Sequence, residues 1–451
     1  MNDELRVAVV GAGPAGLYVA DSLLLQNEVP VRVDVYDRLP TPFGLLRYGV
    51  APDHLKMKSL SKVLQRTLDD ERVRFVGGVT VGREVPVDDL RAAYHAVVHT
   101  FGASSDRRLG VPGEELDGSA SATRFVHWYS GHPDVAADAF DLSAESVAVI
   151  GVGNVAVDVS RILVKDVEAL RRTDIPSNVL DVLSSSRVRE VHVLGRRGPA
   201  HATFTSKELR ELGELEGVDV VVNPAELELD EGAEQRAQAD PDVQRNLSLL
   251  REWAERPRTG AARSLHLHFW SRPLELRGGE RVEQVVVERT AVDESGAVRA
   301  TGERWTLPAQ LVLRCVGYRG VPVEGVPFDD GTCTVPAHEG RVLREGGVSA
   351  GEYVAGWIGR GPVGVLGTNR SDAESVVERL LADAPGLQRR DDVDIPARLR
   401  SSGTVVVDGA GWAAIDAAEI ALGAEQGRPR EKLATWDGLL EAAGLGAHGR
   451  G

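Results

Sequence analysis

The chain has 451 residues, 42% of them hydrophobic and 27% charged, with a formal net charge of −16. That length suits two or three domains with a large core, and the acidic balance disfavours general binding to nucleic acid or anionic membranes. No apolar run approaches a membrane span, and the two cysteines, Cys315 and Cys333, form neither a CxxC pair nor part of a zinc or iron–sulfur ligand set.

The N-terminus, MNDELRVAVVGAG, enters a strand almost at once. No room is left for a signal or transit peptide, so a cytoplasmic protein without structural disulfides is expected. Arg6 to Val10 reads as a buried strand. Gly11, Gly13 and Gly16 follow in GxGxxG spacing, and Leu17, Ala20, Leu23 and Leu24 mark one face of the next helix. In such a unit the first glycine permits the tight turn, the second lets backbone approach a pyrophosphate, and the third lets the helix pack on the strand. The helix N-terminus then offers N–H groups and a favourable dipole to the phosphates. The second strand, VRVDVYD, ends in Asp37. An acid there accepts hydrogen bonds from a ribose hydroxyl and repels a 2′-phosphate, which suits FAD or NAD rather than NADP.

Ser146 to Ile150 begins a second unit, with Gly151, Gly153 and Ala156 in the GxGxxA form and a helix through VAVDVSRILV. Its later strand, VREVHVLG, ends in Arg196 and Arg197. Paired guanidinium groups clamp a 2′-phosphate bidentately, so this turn reads as an NADP(H) site. FAD at the first turn and NADP(H) at the second is the economical assignment. A flavin takes a hydride and passes single electrons onward, which side chains cannot do.

The second unit reads as an insertion in the first, with crossings near VVHTFGAS at 97–104 and LVLRCVGY at 311–318. The expected fold is α/β, with two Rossmann-like dinucleotide-binding domains. An FAD domain of residues 1–106 and 321–451 is interrupted by an NADP domain of residues 107–320. Residues 225–264, rich in charge and Ala/Gln, read as an excursion of helix and loop. EYVAGWIGRGPVGVLGTNR at 352–370 reads as the return of the FAD domain, a strand and glycine-dense turn leading into a helix. From Gly403 a short strand and two amphipathic helices are expected.

Four stretches, PTPFGLLRYGVAPDHLKMK at 40–58, GVGNVAVDVSRIL at 151–163, GRRGPAHATFTSKELREL at 195–212 and GWIGRGPVGVLGTN at 356–369, carry a resemblance to the adrenodoxin-reductase-type ferredoxin–NADP reductases. The resemblance covers nearly the whole chain. It implies an oxidoreductase that binds FAD and NADPH and passes electrons to a ferredoxin-type iron–sulfur protein. FAD contacts are implied at Ala15, Asp37, Leu45 and Val81 (Val79 in the alternative register), and at Trp357, Gly364, Val365 and Leu366. NADP contacts are implied at Val152, Gly153, Asn154 and Val155, then Arg196, Arg197 and Glu208, with Gly364 shared. Three departures stand out: Asp37 where the family often has Glu, Val152 where it has a polar residue, and Gly359 where it has Lys.

Glu208 is a candidate to hold the nicotinamide ribose or move a proton, against the alternative of an exposed helix acid. His54 in APDH is a candidate proton relay or partner contact, against a structural role. Asp158, one helical turn from Asn154, is a candidate to orient it, against a helix-capping or solvated acid. Arg47, Lys56, Lys58, Lys62 and Arg66, with only Asp53 among them, make a locally basic stretch. With Lys207 and Arg210 they are candidates to dock an acidic ferredoxin, against a solvated helix face. His266 and His268 share one strand face, but two histidines without a third ligand do not make a metal site, and none is expected. The missing CxxC opposes a disulfide reductase. A flavin monooxygenase or oxidase, or an NADP-responsive binding protein, would share both nucleotide folds. Nothing in the chain demands a dimer, and a monomer is expected.

Overall fold

The computed structural model describes residues 4–293, 295–364, 367–388 and 393–446. The chain forms two compact units, one of residues 1–105, 130–134 and 318–451, the other of residues 106–129 and 135–317.

In the first unit, apolar alternation puts both faces of the Leu5–Val10 strand to use. Val7 and Val9 pack with Leu17 and Leu23 of the helix Pro14–Leu25, while Ala8 and Val10 pack with Tyr36, Leu90 and Val97 on the other face. Burial on both faces is why such strands read as continuous apolar runs. Among the described residues the sheet has seven strands, in the order Ala337–His338, Arg341–Arg344, Gly347–Val354, Ala96–His99, Leu5–Val10, Val31–Asp37, Val73–Gly77. The last five are parallel and the first two join antiparallel at one edge. Its loops therefore collect at the carboxyl ends of the parallel strands, where ligands of open α/β sheets bind.

The second unit repeats the plan with a parallel sheet in the order Ser119–Ser121, Leu311–Arg314, Ser146–Ile150, Glu190–Leu194, Arg263–His268, Val218–Val222. Val147 and Val149 face a core with Phe125, Ile162 and Leu209. Ala148 and Ile150 face a feature absent from the sequence expectation, an antiparallel sheet of Ser271–Arg277, Gln284–Val292 and Val298–Pro308. Leu276, Val285, Val287 and Leu307 of that sheet close the second face. Residues 225–264 supply the helices Glu231–Ala239 and Pro241–Glu255.

Residues 130–134, which fall within the expected inserted stretch, pack in the first unit. There His132 lies against Tyr48 with ring centroids 4.8 Å apart. Asp134 accepts from Arg38 Nη1 at 2.6 Å and Trp436 Nε1 at 2.8 Å.

Candidate cofactor sites

The first glycine turn is built as its spacing demands. Gly11 has φ +114°, and a Cβ there would lie 2.7 Å from the Thr100 carbonyl oxygen. A Cβ on Gly16 would fall 1.9 Å from the Gly11 oxygen, so helix and strand touch through it. Gly13 differs: φ is −75°, and a Cβ would meet only Gly44 Cα, at 4.0 Å. Protein packing does not require glycine at that position. The space above it lies at the N-terminus of helix Pro14–Leu25, which has no side-chain cap. A phosphate approaching the backbone does require the glycine.

The PFGL loop meets this turn directly, with Phe43 N–H donating to Ala12 O at 2.8 Å. Phe43 is buried at φ +79°, edge-on to Trp412, and Leu45 opens the short helix Leu45–Tyr48 beside it. Asp37 ends its strand and accepts from Ala12 N–H at 2.8 Å and Leu39 N–H at 2.9 Å. Burial pushes its carboxyl pKa up, partly offset by those two donors. Two acceptor oxygens retain lone pairs beyond these bonds for a ribose hydroxyl. Val79 and Val81 are both buried beyond that strand, and Val79 N–H already donates to Asp37 O at 2.9 Å.

After strand Gly347–Val354 the chain turns at Gly356, φ +74°, where a Cβ would lie 2.7 Å from Ala15 Cβ. The turn thus rests on the first helix's N-terminus. Trp357 follows, its ring 5.3 Å from that of Tyr318, and its buried indole Nε1–H has no protein acceptor among the described residues. An orphaned buried donor beside a glycine-lined N-terminus fits a polar group supplied by a cofactor. Gly364 has φ +87°. Val365 and Leu366 lie outside the described residues. His54 is buried and precedes the short helix Leu55–Lys58, its N–H donating to Ala51 O at 3.1 Å.

In the second unit Gly151 has φ +139°, and a Cβ would fall 2.3 Å from the Cys315 carbonyl oxygen. Gly153 precedes the helix Asn154–Val164, again without a side-chain cap, and Ala156 is fully buried where helix meets strand. Two bonds tie this turn to the loop before helix Ser206–Gly213: Thr203 N–H to Val152 O and Thr205 N–H to Asn154 Oδ1, both 2.8 Å. Val152 and Val155 are part-buried beside the core. Thr205 caps that helix, accepting from Glu208 N–H at 3.3 Å.

Glu208 is buried, not exposed. Its carboxylate stands 3.6 Å from Arg161, a fully buried guanidinium that also pairs with Asp158 at 2.8 Å and Glu211 at 3.4 Å. Asp158 accepts from Arg161 Nη2 at 2.8 Å, and Asn154 Oδ1 accepts from the Thr205 N–H, so Asp158 anchors Arg161 and Thr205 orients Asn154. Cys315 is half-buried near Asp106 and Asp158, and desolvation chiefly pushes its thiol pKa up, which leaves it a poor redox group.

Arg196 and Arg197 are exposed at the end of strand Glu190–Leu194. Their backbone is pinned, with Thr290 Oγ1 donating to Arg196 O at 2.8 Å and Trp270 N–H to Arg197 O at 3.2 Å. The structure adds two residues that the sequence reading missed. His201 stands near enough to Arg197 and Arg236 that, after burial, their charges depress its pKa, and its buried Nδ1 lacks a partner among the described residues. Arg236 comes from the helix Glu231–Ala239, in a stretch with no motif to flag it. Arg197, His201 and Arg236 together, with Arg196 next in the chain, fit a phosphate.

One candidate docking residue is corrected. Arg47 is buried, paired with Glu419 at 2.5 Å and stacked between Tyr48 and Trp412. A helical run of basic residues does not reveal which one turns inward. Lys56, Lys62 and Arg66 are exposed and Lys58 is half-buried. Lys207 and Arg210 are exposed on the second unit, Lys207 lying 3.7 Å from Glu211.

Two glycine turns with uncapped helix ends, an acid after one and a basic cluster after the other, define an oxidoreductase fold for two dinucleotides. Residues 5–244 match the family model described as pyridine nucleotide-disulphide oxidoreductase. "NADPH-ferredoxin reductase FprA" of Mycobacterium tuberculosis is 45% identical over 460 residues, covering 98% of this chain and 99% of that one. "NADPH:adrenodoxin oxidoreductase, mitochondrial" of Homo sapiens is 39% identical, covering 97% and 92%. The solved structure "Mycobacterium tuberculosis FprA in complex with NADPH" matches with TM-score 0.91 at 44% identity, over 98% of this chain and 99% of that one. The chain belongs to the pyridine nucleotide-disulphide oxidoreductases and, within them, to the adrenodoxin-reductase-type ferredoxin–NADP reductases. Among the described residues, no helix is long and apolar enough to cross a membrane.

Proposed function

We propose that this chain is an NADPH–ferredoxin reductase, with FAD at the first turn, NADPH at the second and a small iron–sulfur protein as electron acceptor. The observation that carries it is the contrast between the two units: an acid follows the first uncapped turn, and Arg197, Arg236 and His201 gather after the second, with Arg196 adjacent in the chain. The names of the near full-length relatives support the same assignment.

When bound, a flavin accepts hydride from a reduced nicotinamide and releases electrons singly. The chain's own work is to bind, orient and exclude water. Gly11, Gly13, Ala15 and Gly16 present backbone to the FAD pyrophosphate, and Asp37 takes its ribose. Leu45, Val81, Trp357, Gly364, Val365 and Leu366 complete that site. Val152, Gly153, Asn154 and Val155 present the second helix end to NADPH, and Arg196 and Arg197 hold its 2′-phosphate. Val152, apolar here, contributes backbone only. Arg161 fixes Glu208, which holds the nicotinamide ribose, and Asp158 sets Arg161 in turn. His54 is a proton relay. Lys56, Lys58 and Lys62 steer the acidic partner. Leu55 and Val63, 54% and 52% exposed, add apolar contact beside them.

An anaerobic titration of the purified protein, following visible absorbance, tests this. NADPH is expected to bleach a yellow flavin at far lower concentration than NADH, and the reduced protein to pass electrons to ferredoxins. A colourless protein that stays so with added FAD removes the flavin site. A yellow protein that no nicotinamide bleaches removes the second site.

A further inference from the structure

Three histidines of the second unit meet on one sheet face. His192 lies on strand Glu190–Leu194 and is directly opposite His266 of the neighbouring parallel strand Arg263–His268, with His268 two residues on. The i, i+2 spacing and the register bring the rings together, with centroids 4.6 Å apart for His192 and His266 and 5.4 Å for His192 and His268. His192 Nδ1 is 3.1 Å from His268 Nε2, and one nitrogen from each of the three rings lies within 4.8 Å of the other two. The sequence showed two of these residues as a pair; the strand register supplies the third.

We propose that His192, His266 and His268 form a binding site for one first-row divalent transition metal ion, zinc foremost. Three imidazoles are a ligand set for zinc, copper or nickel and a poor one for magnesium or calcium. Zinc–nitrogen bonds of about 2.0–2.1 Å put tetrahedral ligand nitrogens about 3.3 Å apart, close to the separation already present between His192 and His268. Further groups stand where supporting partners are needed. Glu190 Oε2 lies 3.5 Å from His192 Nε2, and Ser264 Oγ lies 2.9 Å from His266 Nε2. Burial, reinforced by the neighbouring rings, keeps His192 and His268 in the neutral form that binds metal, their pKa values depressed to about 4 and about 3. Arg289 and Arg258 face His268 and His266 and oppose a cation, so affinity is expected below that of four-ligand thiolate sites. Three protein ligands leave a fourth position for water.

The test uses untagged, cofactor-bound protein stripped of metal, then dialysed against zinc, with magnesium in parallel. Wild type is expected to retain one zinc per chain and no magnesium. His266→Gln and His268→Gln should each weaken zinc binding at least tenfold, and cobalt should give the intense visible bands of a tetrahedral site in wild type alone. Should His268→Gln misfold by circular dichroism, the half-buried His266→Gln decides the matter. Wild type retaining no zinc, or retaining it equally in His266→Gln, overturns the site and leaves the rings as neutral packing groups.

Discussion

Replacing Gly13 by alanine separates folding from cofactor binding. Gly13 has φ −75° and ψ 179°, which any residue adopts, and a Cβ there meets nothing of the protein closer than 4.0 Å. The substitution therefore leaves the cofactor-free fold intact. By narrowing the unfolded ensemble it should stabilise that form by about 0.4–1 kcal/mol. Flavin binding responds in the opposite direction. The methyl group stands where phosphate must approach the helix N-terminus, and two charge-assisted hydrogen bonds of about 1.5–3 kcal/mol each are at stake, or roughly 10²–10⁴-fold in affinity. Gly16→Ala is the contrast, because its Cβ would sit 1.9 Å from the Gly11 oxygen and the fold itself must yield. The assay pairs melting of flavin-stripped protein with fluorescence-detected FAD rebinding. A Gly13→Ala protein that binds FAD as tightly as wild type, or whose stripped form melts lower, would refute the reasoning.

At the second turn, Arg196→Gln and Arg197→Gln should each raise KM for NADPH about tenfold, consistent with exposed charge-assisted contacts, and leave KM for NADH unchanged; equal effects on both nucleotides would contradict the assignment. Lys62→Glu should raise KM for an acidic ferredoxin, most at low salt, without altering ferricyanide reduction; an effect independent of ionic strength removes Lys62 from the docking face. Glu419→Ala, which strands the buried Arg47 guanidinium, is expected to cost about 3–5 kcal/mol in denaturant unfolding, whereas Arg47→Met with Glu419→Leu should recover most of it. Glu352 is fully buried; burial pushes its carboxyl up, but Arg344, His99 and Ser349 outweigh this and hold it well below the usual range. Its contribution is thus present above the unfolded value of about 4.3 and lost as pH falls below it, by up to about 1.4 kcal/mol per pH unit. Melts across that range should fall more steeply for wild type than for Glu352→Gln, and parallel curves would count against the network.

What was legible in the sequence is local in the chain. Gly11, Gly16 and Gly151 are signalled locally, by a turn at positive φ or a helix pressed on its strand, although Gly11 and Gly151 also abut the distant Thr100 and Cys315 carbonyls. Asp37 and Arg196 stand at strand ends that periodicity alone locates. What was not legible depends on distant segments. Arg236 reaches the loop after Arg197 from a motif-free helix, where it and Arg197 both act on His201. Arg47 reads as one of a basic row until Glu419, far along the chain, turns it inward. His192 joins His266 and His268 only through strand register, and the antiparallel sheet over 271–308 carries no motif at all.

The short segment 130–134 changes how the molecule can be divided. Because it belongs to the first unit while its flanks belong to the second, the chain passes from one unit to the other four times rather than twice. A gene fragment cut at 106 and 317 would carry off His132 and Asp134, removing the ring beside Tyr48 and the acceptor for Arg38 and Trp436. It would also strip Lys432 of the Ser130 carbonyl that it reaches at 3.0 Å. Neither half is a clean module for recombination, so exchange of nucleotide specificity between relatives is better attempted by grafting the 196–201 loop and the Arg236 helix than by swapping whole halves.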